Sequence, residues 1–387
     1  MAPFLRWKFS SHTVLFAFYL VICTTWLTGQ TPVTGEVVQG SRPNVEMVVT
    51  RAINQLRTTG QAQDGSFSAQ LGTGVTSLVT TAVLRNGRTG EDPLVKRSLA
   101  WLEDFVQPDG GIYRPGSLYR NYETCLAILC FQEANQNGRY DEFILAAQQF
   151  IQDIQWGPKN GTESSDMSYG GAGYGKHGRP DLSNTSFFVD AMIAAGNDDD
   201  CQAIQRALKF ISRCQNLETE HNTSQFASKI NDGSFYYTIA AGGKSQADKT
   251  PNGGLRGYGS MTYAGLKSML YAGVGPDDPR VEAALNWIRL YYDLKSNPGL
   301  GNQGLYYYYH TFAKALDALG EDVFVDDQGV KHDWRLELAK ELASRQREDG
   351  TWINEHARWF EGDTNLVTGY ALLTLAYCDR RSTLEDK

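Results

Sequence analysis

QAQDGSF (61–67), followed by TSLVTTAVLRNG (76–87), is the pair of phrases whose recurrence decides the fold. The first phrase is a Gln, three residues, a Gly, one residue and an aromatic. The second is short and mostly apolar, with an early Thr and a closing Gly. The first returns in full as QPDGGIY (107–113) and QREDGTW (346–352), and in weaker form as NDGSF (231–235) and NQGLY (302–306). The second returns from Thr124, Thr185, Thr262, Thr311 and Thr368, with Ala prominent in most copies. A Gly ends a helix by adopting the left-handed conformation, the aromatic covers the turn, and the Gln bonds exposed backbone. The third copy, around Tyr169, lacks the pattern.

A second class of segment alternates with these apolar ones. Val45–Leu56, Pro93–Val106, Tyr140–Ile154, Cys201–Cys214, Pro279–Tyr292 and Asp333–Arg345 carry apolar residues at helical spacing with polar residues between. Helices polar on one face, beside helices apolar nearly all round, imply an outer ring around a buried inner ring. The expected fold is therefore all-α: an (α/α)6 toroid of six outer and six inner helices, one domain over 44–380. A polar tail, 381–387, follows.

The amino terminus reads as an address. Arg6 and Lys8 precede an apolar run, Val14 to Cys23, too short to span a bilayer comfortably. Residues 1–29 are expected to be a signal peptide or signal anchor, and 30–43 a linker. Export is the expectation, with tethering to a membrane left open by a poor cleavage site. The net charge of −8 argues against a nucleic-acid partner, which would call for a basic stripe. After the leader, Cys125, Cys130, Cys201, Cys214 and Cys378 show neither disulfide nor zinc spacing and read as free thiols. No metal and no cofactor is expected.

The Q-x3-G-x-aromatic element before an apolar helix resembles the repeat of squalene-hopene cyclases and of protein-prenyltransferase β subunits. The resemblance covers roughly Val45 to Tyr377 and implies the same toroid. It also gives a place to look for chemistry. The cyclases protonate substrate with D-x-D-D-T at the start of an inner helix. This chain has Asp181-Leu182-Ser183-Asn184-Thr185, so Ser and Asn replace the proton-donating pair. The prenyltransferase zinc ligands, an Asp-x-Cys pair and a later His, are absent.

In such a ring the inner helices are parallel, and their N-termini open on one rim. Dipole ends and free N–H groups there favour a polar or anionic ligand head. Residues preceding each inner Thr are expected to face the bore: Tyr119, Arg120, Tyr122 and Glu123, then His177, Arg179, Asp181 and Asn184. Arg256, Tyr258, Tyr306 to Tyr309 and His310 follow, and finally Trp359, Asp363 and Asn365. Asp181, His310 and Asp363 are the catalytic candidates; Tyr122, Glu123, Arg179, Asn184, Arg256, Tyr258, Trp359 and Asn365 are the ligand-binding ones.

Two Gly-rich stretches interrupt the repeats: 168–180 leads into the third inner helix, and 216–257, a loop of about 40 residues, reads as a lid over the rim. They are not a nucleotide fingerprint, because no strand precedes them. N-x-[ST] sequons begin at Asn160, Asn184 and Asn222.

Three functions fit. One is an exported toroid that binds or transforms an apolar, isoprenoid-like small molecule or lipid in a central cavity, without the standard acid motif. Another is a lyase or hydrolase for acidic glycans, using Tyr, His and Arg. The third is a non-catalytic binding module. A deep apolar cavity favours the first, an open polar groove the second and a filled bore the third.

Overall fold

The computed structural model describes residues 43–175 and 178–379. The expected leader, most of the expected linker and the polar tail lie outside those residues, as does His177.

Twelve helices alternate as the sequence demands. The outer ones are α1 (Val45–Gln55), α3 (Pro93–Glu103), α5 (Asp141–Ile154), α7 (Gln202–Arg213), α10 (Pro279–Leu290) and α12 (Trp334–Arg345). The inner ones are α2 (Gly74–Arg85), α4 (Arg120–Ala134), α6 (Leu182–Ala194), α9 (Gly259–Tyr271), α11 (Leu305–Leu319) and α13 (Thr364–Cys378). A four-residue helix, α8 (Ala227–Ile230), sits in the second insertion. A two-stranded antiparallel hairpin, β1 (Phe324–Val325) with β2 (Lys331–His332), joins α11 to α12.

Each inner helix packs on the next, α2 on α4, α4 on α6, α6 on α9, α9 on α11 and α11 on α13, and α13 returns to α2. The ring is closed. Every outer helix lies against one or two inner ones, and α1 also meets α12 at the seam. Outer helices start sharply because Asp92, Asp278 and Asp333 cap them, with Pro at the first helical position in two of the three. Inner helices are buried on all sides; in α9 every residue from Gly259 to Met269 is buried.

The recurring turn has one job, repeated around the ring. The Gln61 amide donates to the carbonyls of Gly65 and of Leu94 at the start of the next outer helix. Gln346 does the same to Gly350 and Val48, which stitches α12 to α1. The Gly is required twice over. Gly65 and Gly350 have φ +95° and +89°, and a Cβ would stand 2.5 and 2.9 Å from the Arg97 and Arg51 carbonyl oxygens of the next outer helix.

Two expectations about this turn need correcting. The third copy is not lost. Gln155 donates to Gly170 and Ala203, and Gly170 has φ +85° with no room for a Cβ beside Arg206. Residues 156–169 separate these partners where the full copies have three residues, so a fixed spacing cannot find them. In the second copy the register is one residue early. Gly110, with φ +85°, and Ile112 take the Gly and aromatic places, while Val106 stands where Gln should.

The early Thr of each inner helix also acquires a role. Thr76 Oγ1 accepts from Phe67 N at 2.9 Å, and Thr124, Thr185, Thr262 and Thr368 accept in the same way from Ile112, Ala172, Phe235 and Trp352. Each hydroxyl pins a turn onto the helix that follows it. Thr311 departs, bonding Tyr308 within its own helix.

Cys125, Cys130 and Cys214 are buried thiols, and Cys201 and Cys378 are half-buried; none is bridged. Among the described residues no helix is long and apolar enough to cross a membrane.

Candidate functional site

The N-terminal ends of the inner helices surround a cavity of about 620 Å³. Its floor is a closed layer of four aromatic rings, one each from α4, α6, α11 and α13. Tyr122 meets Phe187 edge-on with centroids 5.2 Å apart, Phe187 meets Tyr307 at 6.1 Å, and Tyr307 meets Tyr370 at 5.9 Å. Tyr370 Oη and Tyr122 Oη, 3.4 Å apart, complete the circuit. Aromatic rings fill such a layer well because edge-to-face contacts let large planar groups meet around a bore. Val75, Met261, Leu366 and Tyr258 form apolar walls, and Leu118, Trp359 and Phe360 stand exposed at the mouth.

The two insertions form part of this wall. Tyr174 comes from the first, and Tyr237 and Gln246 from the second. They are tied to the ring and to one another: Leu182 N donates to Tyr237 O at 2.8 Å, and Thr238 Oγ1 to Pro180 O at 2.7 Å.

Expected site residues fall into three groups. Tyr122, Glu123, Asn184, Tyr258 and Trp359 line the cavity. Asp181, Asp363 and Asn365 are adjacent but engaged in the frame. Asp181 caps α6, accepting Asn184 N at 2.9 Å and the Asn184 amide at 2.8 Å. Burial pushes its carboxyl up to about 6. Asp363 caps α13 through Leu366 N and also accepts the Ser68 hydroxyl, each at 2.9 Å. Asn365 donates to Gly60 O and to Ser68 Oγ. The third group lies elsewhere. Arg179 faces a different hollow, Arg256 is exposed, and His310 lies beneath the floor. Asn184 and Asn222, two of the sequon asparagines, are buried.

The rim does not offer the electropositive collar that parallel helix N-termini suggest. Four of the six are already capped by the protein. Asp181 and Asp363 serve α6 and α13, and Asn297 accepts Ser260 N of α9 at 3.0 Å. Glu361 accepts Tyr307 N of α11 at 2.8 Å and the Asn354 amide at 2.6 Å. Helix-end donors met in this way are no longer free for a ligand anion. Among the described residues, the charged wall groups are the acids Glu123 and Glu361, held above the usual carboxylate range by burial, and one base, Arg114.

Beneath the aromatic floor the bore changes character. Asp190 of α6 is salt-bridged to Lys267 of α9 and, at 2.7 Å, to Lys314 of α11, all three buried. His310 stands beside them with Nδ1 unpartnered, and burial pushes its imidazole well below its ordinary value. Only about 10 Å³ of space remains there, shared with Phe187 and Tyr307 from below. That is room for about one water.

With this geometry in view, sequence comparison points to a family. Residues 71–241 match the squalene-hopene cyclase C-terminal domain. No curated protein matches the chain. Solved structures share the ring at low identity. A polysaccharide lyase aligns at 12% identity over 89% of this chain and 98% of its own, with TM-score 0.51. A possible member of the GH105 family from Salmonella enterica serovar Paratyphi A aligns at 10% over 87% and 94%, with TM-score 0.53. A D-mannose isomerase aligns at 11% over 87% and 99%, with TM-score 0.52. At such identities the likeness is one of fold. Three differently named activities on one ring leave function to the site of this toroid.

The missed wall residues, Tyr174, Phe187, Tyr237, Glu361 and Tyr370, share a cause. Phe187 and Tyr370 follow the early Thr instead of preceding it, one helical turn deeper, and the others lie in irregular chain where periodicity gives no direction.

Proposed function

We propose that this is an exported toroid protein that binds, or transforms, a neutral apolar molecule of isoprenoid type in the cavity above the aromatic floor. The observation that carries the reading is the cavity: about 620 Å³, floored by four aromatic rings and rimmed by capped helix ends. That size is typical of small-molecule sites, whose walls are mostly apolar with a few placed polar groups. The cyclase-type repeat adds to it. The basic residues and apolar run of 6–23 support export. Two buried carboxyls and four capped rim helices disfavour a diphosphate head, which would meet, among the described residues, one cation, Arg114, and two uncapped helix starts. Ser183 and Asn184 cannot donate a proton to an alkene, so binding is the firmer half of the proposal.

The acidic-glycan reading is less well supported, because among the described residues no His lines the cavity and Arg114 is its one cation. A non-catalytic module with a filled bore fits poorly for the same cavity.

Farnesol, farnesyl diphosphate and an oligogalacturonate, each titrated against the protein with Trp fluorescence as readout, separate these readings. Farnesol should bind and the two anions should not. Met261→Trp, which adds bulk to the wall, should weaken farnesol by about tenfold, the equivalent of losing about two buried methylenes. Tighter binding of either anion, or unchanged farnesol binding in the variant, overturns the proposal.

A further inference from the structure

A second hollow lies outside the bore, between the two insertions. It measures about 820 Å³ and is walled by Trp156, Met167, Phe226 and Ile239, with Arg179 and Asp166 as its charged residues. Neither the repeat nor the central cavity accounts for it.

Three features of this hollow point to a ligand. First, Arg179 is charged and unpartnered: its Nε is buried without a hydrogen bond, and its guanidinium forms no ion pair among the described residues. Asp181 is close enough for Arg179 to favour its charged form, but the two make no salt bridge, and its oxygens accept from Asn184 instead. A half-buried cation without a counter-ion is unfavourable, and an Arg fork matches a carboxylate through two parallel bonds. Second, Ala241 and Gly242 on the same wall have φ +51° and +81°, and their N–H groups have no hydrogen-bond partner among the described residues. Successive main-chain N–H groups near the left-handed region suit an anion, and an Ala held there stores strain of about 1–3 kcal/mol, as ligand sites often do. Third, Trp156, Met167, Phe226 and Ile239 give the wall an apolar stretch beside the polar Ser168, Ser224 and Gln225, which fits an apolar body attached to the anion.

We propose that this groove binds a monocarboxylate on an apolar chain, a fatty-acid-like amphiphile, with Arg179 anchoring the head group. Asp166 sets the charge. One Arg beside one Asp favours a single negative charge over the dianion of a phosphate. Trp156, Met167, Phe226 and Ile239 then cover the chain. The site is separate from the central cavity, and the inference does not depend on what that cavity holds.

Isothermal titration calorimetry of the full chain with decanoate, decanol and acetate tests this. Decanoate should bind with an enthalpy that Arg179→Gln weakens by about tenfold or more, the loss of a charge-assisted bond. Arg179→Lys should fall between the two, and acetate should show no binding. Urea midpoints of the Arg179 variants equal to the parent's confirm that the groove is folded in them. Three results overturn the proposal: no decanoate binding, binding indifferent to Arg179→Gln, or a uronate disaccharide that binds more tightly than decanoate. Farnesol binding should be the same in the Arg179 variants as in the parent, so failure here and failure of the central-cavity reading are distinguishable.

Discussion

The two halves of the bore obey opposite rules although the same six helices build both. Above the layer of Tyr122, Phe187, Tyr307 and Tyr370 the ring is hollow, aromatic and acidic. Below it the ring is nearly solid and held by the Asp190–Lys267–Lys314 cluster, with cations in excess. Six parallel helices cannot close a bore with aliphatic side chains alone. This chain fills one half with buried ion pairs and leaves the other open. Charge pairs in a core give little net stability, but they are costly to break and tolerate few other arrangements. The lower half therefore acts as a rigid seat for the upper one.

Breaking the seat should have the largest effect. Asp190→Ala leaves Lys267 and Lys314 facing each other without a counter-charge, so the cost is about 3–5 kcal/mol. Urea unfolding measures it. Replacing all three residues by apolar ones of similar volume should recover most of the loss. A loss below about 1 kcal/mol for Asp190→Ala would mean that water reaches the cluster and that the lower half is not dry.

Breaking the partition comes next. Phe187 touches both compartments. Phe187→Ala should cost about 3 kcal/mol, the low end for such a truncation because open space already lies on two sides of the ring. It should also join the compartments, so that a longer apolar ligand gains affinity while a short one loses it. Equal loss for both would show that the layer is a wall of the upper cavity without separating anything.

The sequence reveals the ring far better than the bore. Twelve helices follow from alternation of polar-faced and apolar segments, because burial on one side or on all sides imprints a period. The turn is legible for the same reason in two of its three full copies: Gln61 and Gln346 must reach a neighbouring helix, and Gly65 and Gly350 must let it approach. It becomes unreadable where an insertion separates the partners, as for Gln155 and Gly170, or where a double Gly permits two registers, as at 110–111. The site is only partly legible. Placing residues just before the inner Thr on the cavity works for Tyr122, Glu123, Asn184 and Tyr258. It fails for His310, because a helix passes its residues round all sides and down the bore within one turn, and for Arg256, which lies exposed in irregular chain before α9. The electropositive rim fails for another reason. Helix dipoles are visible in sequence as helix starts, whereas Glu361 and Asn297 cap residues that lie 54 and 37 positions away in the chain.

The smallest predicted effect is a pH dependence that runs in opposite directions in the two halves. Asp181 at the rim has a carboxyl raised by burial from 3.8 to about 6. A raised value means that the folded chain holds this proton more tightly than the unfolded one. The contribution of Asp181 to stability is thus full below about pH 3.8 and is lost as pH rises through about 6. Lys267 beneath the floor is pushed below its ordinary 10.5 by burial. Its folded value is depressed, so the cost of burying its charge is full in neutral solution and eases as pH rises toward 10.5. Asp181→Asn should therefore gain stability relative to the parent as pH goes from about 4 to about 6, by no more than about 1 kcal/mol per pH unit, and change nothing above. Lys267→Met should differ from the parent by a constant amount through that window and lose its relative advantage only in alkali. Urea midpoints of the three proteins, taken from pH 4 to 10, decide the matter. Parallel profiles for Asp181→Asn and the parent across the acid window would mean that solvent reaches this carboxylate, and that the rim is not as dry as the floor beneath it.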